Sequence, residues 1–176
     1  MKTYTWKEAF KDAYEAALAS NSRAQNFVGY CYDLGRGVRR DPKTAKQWYG
    51  KAERNGNIHA TFNLAVMNEK GSGGRRNVRR AVALYWKAAL HGDLQSQANL
   101  AVILLDGDGV AVDIPAGLHW LRRAAKRGDP IAQYNLGRAY ADGDHVRKSA
   151  TYAKKWLSKA AENGHAKALQ RLQTVK

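Results

Sequence analysis

Apolar and polar residues alternate along this chain with the period of a helix, in short segments that stop and restart. Ala132, Leu136, Gly137 and Tyr140 lie at i, i+4, i+5 and i+8, one stripe of a 3.6-residue helix. Ala153, Trp156, Leu157, Ala160 and Ala161 mark a second stripe on the next segment. Between the two stands Gly143, where the first helix must stop, and Gly164 ends the second in the same way. The pattern predicts helices over 6–19, 22–34, 43–55, 58–70, 78–91, 94–106, 115–127, 130–142, 150–163 and 166–174. Pro42, Pro115 and Pro130 fall at helix starts, where a missing N–H costs little.

These segments recur. Gly56, Gly92, Gly128 and Gly164 succeed one another at intervals of 36. The same step links Trp48, Leu84, Trp120 and Trp156, then Val28, Leu64, Leu100 and Leu136, then Gly35, Gly71, Gly107 and Gly143. A fixed period of this length is the signature of a repeat array, in which each helix pair buries its apolar face against its neighbours. Ala9 and Ala16 lie 36 residues before Ala45 and Ala52, so the Thr5-x-x-Glu8 capping box opens a lone second-type helix. Ala168 and Leu172 continue the first-helix slots into a last half repeat. The reading is an all-α α-solenoid in one domain, 1–176: a capping helix over 1–21, repeats over 22–57, 58–93, 94–129 and 130–165, and a half repeat over 166–176.

The unit Ala132-Gln133-Tyr134-Asn135-Leu136-Gly137, with Tyr140 and Gly143, then Trp156, Lys159-Ala160-Ala161 and Gly164, resembles the Sel1-like repeat, a relative of the tetratricopeptide repeat. Gly35-Arg36-Gly37-Val38 with Asp41, and Gly107-Asp108-Gly109-Val110 with Asp113, add to the likeness. Asn68 and Leu104 depart from it in the Tyr slot, Leu84 in the Trp slot, Gly117 in an Ala slot and His145 in the second loop-glycine slot. The resemblance implies a right-handed solenoid of four helix pairs. It also implies a non-catalytic adaptor, scaffold or inhibitor of the immunity type, common in bacteria, that binds protein partners.

Charge adds a direction to that expectation. The chain carries 30 Lys and Arg against 15 Asp and Glu, a balance that favours an acidic partner. Residues 1–88 hold 17 basic and 7 acidic side chains, and residues 89–176 hold 13 and 8, so the positive charge is concentrated in the first half. No apolar run is long enough to span a membrane, the first residues lack a secretory h-region, and the single Cys31 has no internal disulfide partner. These features point to the cytoplasm, without membrane insertion, as a monomer or weak dimer; Trp86 beside Leu90 on a second helix is the candidate contact patch or a filler behind Leu84.

The first helices are expected to line the concave surface. The side away from the Ala and Leu stripe carries Tyr30, Val66, Val102 and Arg138 in one slot, Phe62 and Tyr134 in a second, and Asn63, Asn99 and Asn135 in a third. Aromatic anchors and amides that can pair with a peptide backbone suit a groove for an extended segment. The same apolar slots also fit inter-repeat core, and both readings stand at this point. A basic edge comes after the first two of these helices: Arg36, Arg39, Arg40, Arg75, Arg76, Arg79 and Arg80, whose guanidinium forks suit carboxylate or phosphate. Nucleic acid is therefore the second reading after protein. His59, His91, His119, His145 and His165 show no metal-ligand spacing, and no nucleophile elbow, phosphate-cradling loop or HExxH motif occurs, so neither catalysis, a cofactor nor a metal is expected.

Overall fold

The computed structural model describes residues 5–175; residues 1–4 of the expected N-terminal cap and Lys176 of the last half repeat lie outside them. Ten helices occur among the described residues: α1 (Trp6–Leu18), α2 (Ser22–Leu34), α3 (Pro42–Arg54), α4 (Ile58–Lys70), α5 (Val78–Leu90), α6 (Leu94–Asp106), α7 (Ile114–Lys126), α8 (Pro130–Asp142), α9 (Ala150–Glu162) and α10 (Ala168–Gln173). They form two compact units, Met1–Asp93 and Leu94–Lys176. Within each unit every helix packs on the next along the chain, as expected for an α-solenoid.

Local chemistry sets the helix ends. Thr5 and Glu8 close a reciprocal capping box, with Glu8 Oε2 accepting from the Thr5 N–H at 2.8 Å and Thr5 Oγ1 accepting from the Glu8 N–H at 3.3 Å. The Thr5 N–H first, and then the Thr5 hydroxyl, which donates to the same Oε2 at 2.8 Å, hold the Glu8 carboxyl below its ordinary pKa. Asn21, Asp41, Asn57, Asn77, Asp113, Asp129 and Ser149 cap later helices through their side chains. Pro42 is itself the first residue of α3, one earlier than expected, because Asp41 already satisfies the Lys43 and Thr44 N–H groups. The last helix is shorter than its expected span, since Lys167 offers no side-chain cap.

The buried stripe is the one the period marks. Val28, Leu64, Leu100 and Leu136 are buried, as are Ala45, Ala81, Ala124 and Ala160. Each buried leucine contributes about 2 kcal/mol of transfer free energy. The small slot of the first helices is a steric requirement in two repeats. A Cβ at Gly29 would sit 2.7 Å from Tyr49 Cδ1, and one at Gly137 would sit 2.8 Å from Leu157 Cγ. Gly117 likewise admits Leu105, whose Cγ would stand 2.7 Å from an added Cβ.

The loops between paired helices close through the main chain. The N–H groups of Asp41, Asn77, Asp113 and Ser149 donate to the carbonyls of Tyr32, Asn68, Leu104 and Tyr140, all at 2.8 or 2.9 Å. This bond explains why the Tyr slot tolerates Asn68 and Leu104: loop closure needs the carbonyl, not the ring. The buried Asn68 satisfies its own amide on the Leu64 carbonyl at 2.6 Å.

Candidate functional site

In the N-terminal unit, one aromatic ring from α1 meets two from the outward face of α2. Trp6, the first residue of α1, stacks on Phe27 with centroids 6.1 Å apart and planes 10° apart, and lies 6.3 Å from Tyr30. Phe27 and Tyr30 are themselves 6.5 Å apart. The Arg36 guanidinium sits 5.0 Å from the Trp6 ring centroid, a cation–π arrangement. Trp6 remains 43% exposed in this position. Its place is fixed from behind, because Gly37 presses against the Trp6 carbonyl where a Cβ would collide. On the next pair, the Asn63 amide donates to Asn26 Oδ1 at 3.1 Å, so one donor of the expected asparagine series is already engaged. Phe62 is half-buried and tilts against Tyr85, 6.0 Å away. Val66 is half-buried on the same helix.

The C-terminal unit presents a different surface. Val102 from α6 and Asn135 and Arg138 from α8 line one small cleft with Leu105, Leu118, Leu121 and the loop residues Asp144 and His145. Three of the nominated positions are therefore brought together here. Arg138 is exposed at the mouth, and Asn99 is half-buried on α6. Tyr134 turns away from this cleft and stacks on His165, 4.2 Å between centroids and 11° between planes. Phe62 and Tyr134, nominated as anchors, thus each spend part of their surface on a neighbouring ring.

The basic edge divides into two kinds of arginine. Arg40 Nε donates to the Asp33 carbonyl, and Arg76 Nε donates to the Glu69 carbonyl, both at 2.8 Å. These two residues stand 36 apart and strap their loops onto the ends of α2 and α4. Arg36, Arg39, Arg75, Arg79 and Arg80 project as exposed side chains, and among the described residues none has an ion pair.

The second helices repeat a pairing of their own. Lys51 lies 4.1 Å from the Trp48 ring, Arg123 5.3 Å from Trp120 and Lys159 5.6 Å from Trp156. Where Leu84 replaces the tryptophan, Lys87 instead pairs with Glu53 at 2.7 Å. Leu84 itself is buried, while Trp86 is 38% and Leu90 61% exposed. Cys31 is buried, and desolvation pushes its thiol pKa up, away from reactivity. Among the described residues, no three His, Cys, Asp or Glu side chains gather as a metal-binding group, and no helix is long and apolar enough to cross a membrane.

Sequence reasoning missed Trp6, Asp144 and His145. Trp6 had a signal: it stands directly after the capping threonine, in the slot that later holds Pro42, Val78, Ile114 and Ala150. A tryptophan there has no counterpart.

The Sel1 repeat profile matches four consecutive segments of this chain, 22–57, 58–93, 94–129 and 130–165. The chain belongs to the Sel1 repeat family. No curated protein matches it at a significant level. Among solved structures, it is similar to a protective antigen present in uropathogenic Escherichia coli strains that displays the same repeat fold, with 34% identity and a TM-score of 0.87 over 93% of this chain. It is equally similar to a Sel1 repeat protein from Oxalobacter formigenes, at 34% identity and a TM-score of 0.87 over 95% of this chain. The chain spans only 35% of the first of these proteins and 66% of the second. An immunity protein from Pseudomonas aeruginosa shares the fold at 19% identity and a TM-score of 0.60, over 93% of this chain and 60% of its own.

Proposed function

We propose that this Sel1 repeat chain is a non-catalytic protein-interaction module, an adaptor, scaffold or immunity-type inhibitor, that holds a peptide or acidic protein segment against its first-helix faces. The observation that carries this reading is a contrast along single helices. On α4, Leu64 is buried while Phe62, Asn63 and Val66 stay half-buried; on α8, Leu136 is buried while Tyr134, Asn135 and Arg138 reach solvent. Apolar and amide groups left open beside a fully packed stripe suit recognition of an extended segment. The exposed arginines Arg36, Arg39, Arg75, Arg79 and Arg80 would then steer an acidic partner. A monomer or weak dimer in the reducing cytoplasm fits the buried free thiol of Cys31.

The test is capture from a bacterial lysate at moderate salt with three baits: the wild type, Phe62→Ala/Tyr134→Ala, and Arg75→Glu/Arg79→Glu. Both variants are expected to lose the captured protein, the first by faster release and the second by slower capture. Undiminished binding by the first variant removes the groove. The exposed, unpaired arginines also support a second reading, binding of nucleic acid or another phosphate polymer. That reading requires affinity to fall steeply and log-linearly with salt, and a shallow salt slope excludes it.

A further inference from the structure

We infer that the Trp6–Phe27–Tyr30 platform, with Arg36, is the docking point for an acidic stretch of a protein partner that carries an aromatic or proline residue between its carboxylates. The inference rests on the protein-binding reading above and assigns its first contact to the N-terminal unit. Four observations support it.

The rings form a surface, not a core. Trp6, the first residue of α1, is stacked on Phe27 and close to Tyr30, yet 43% exposed. Rigid aromatic rings offer large contact area at small entropic cost. The equivalent first position of later second helices holds the smaller Pro42, Val78, Ile114 and Ala150. A tryptophan at this position therefore adds area that the repeat itself does not need.

The backbone beneath is held in place. The Thr5–Glu8 capping box fixes the first turn of α1, and Gly37 packs on the Trp6 carbonyl. A platform held this way loses little freedom when a ligand lands on it.

The surrounding charge is positive and unanswered. Arg36 and Arg39 are exposed and have no ion pair among the described residues. The nearby acids are engaged elsewhere: Glu8 accepts from the Thr5 backbone and hydroxyl, and Asp41 accepts from Lys43, Thr44 and the Thr44 hydroxyl at 2.7 Å. Carboxylates brought by a partner meet exposed guanidinium forks that hold no ion pair among the described residues.

The loop guanidiniums differ in freedom. Arg40 is strapped to the Asp33 carbonyl, which leaves Arg36, over the indole, as the group able to grip a carboxylate beside the rings.

The experiment uses the full chain, labelled with nitrogen-15, and monitors its tryptophan indole N–H resonances, that of Trp6 being assigned with Trp6→Phe. The probes are the capped hexapeptide Glu-Glu-Phe-Pro-Glu-Glu, its Lys-Lys-Phe-Pro-Lys-Lys counterpart and a short oligothymidylate. The acidic peptide is expected to shift the Trp6 resonance saturably and the basic peptide to leave it in place. Trp6→Leu is expected to weaken acidic-peptide binding about 10-fold and Arg36→Gln about 3- to 5-fold, as for an anchor ring and an accessory charge. Arg36→Gln leaves the platform packed, so it keeps the test valid if Trp6→Leu unfolds. An unmoved Trp6 resonance, equal shifts by acidic and basic peptides, or tighter binding of the oligothymidylate at Trp6 overturns the inference. Saturable shifts confined to the backbone of Val66, Asn135 and Arg138 would overturn the platform while leaving the groove standing. Failed lysate capture together with a saturable Trp6 shift by the acidic peptide would count against the groove alone.

Discussion

The two units carry the same repeat and close their loops through the same main-chain bond, yet fill two of its slots differently. In the N-terminal unit the second loop glycine is kept: Gly37 lies on the Trp6 carbonyl and Gly73 on the Pro42 carbonyl, each too close for a Cβ. The C-terminal unit keeps that glycine in its first pair, at Gly109, but its last pair holds His145, in the left-handed region at φ 57°, which lines the cleft with Asp144 and Arg138. The ring slot of the second helices differs as well, with buried Tyr49 and Tyr85 in one unit and Leu121 and Leu157 in the other. The lesson is that the 36-residue period fixes where backbone passes backbone, while the slots around it decide whether the result is a sealed joint or an open cleft.

That comparison breaks most visibly at the loop glycine. Gly73→Ala forces a Cβ into the Pro42 carbonyl and onto a left-handed backbone at once, and is expected to cost about 3 kcal/mol in urea unfolding. His145→Gly, at the same slot, removes a left-handed side chain and is expected to stabilise by about 0.5 kcal/mol. Equal signs for the two substitutions would show that the slot makes the same demand in both units.

The ring slot separates the units by pH. Burial, first of all, pushes the Tyr49 phenol far above its ordinary value of 10.0. A raised phenol pKa means the folded state keeps a proton that the unfolded state loses. Stability from this group is therefore whole below pH 10 and declines above it, by roughly 1.4 kcal/mol per pH unit until the folded pKa is reached. Tyr49→Phe is expected to flatten that decline in unfolding curves taken between pH 9 and pH 11, and an unchanged slope would refute the assignment. Leu121 and Leu157, in the same slot, give the C-terminal unit no such sensitivity.

The smallest expected effect is at the strap. Arg40→Ala removes a charged donor from the Asp33 carbonyl and is expected to cost about 1 kcal/mol, against less than about 0.5 kcal/mol for Arg39→Ala, whose side chain only projects into solvent. Equal costs in thermal unfolding would make the strap irrelevant.

The helices were legible because their determinants are local. Asn and Asp caps, N-terminal prolines, apolar spacing and glycine stops all lie within a few residues of the boundary they set. The site was less legible. Trp6 meets Phe27 and Tyr30 from across a turn, and no spacing rule joins residues 21 and 24 apart on different helices. Arg40 and Arg36 read alike as basic loop residues, yet one is turned onto a carbonyl and the other onto an indole by the path of the loop. Tyr134 looked like a free anchor because its partner, His165, lies beyond the next helix. Side-chain direction at loops is decided by backbone geometry that the repeat period does not encode.

Main-chain closure of the inter-helix loops has a consequence for how such arrays diversify. Since Asp41, Asn77, Asp113 and Ser149 close their loops through main-chain N–H groups, the loop residues other than the close-packed glycines and the strapping Arg40 and Arg76 can change without reopening the hinge. Each such loop is thus an interchangeable cassette: arginine-rich after α2 and α4, acidic after α6, mixed after α8. Selection can rewrite the address those loops spell while the scaffold that carries them is inherited unchanged.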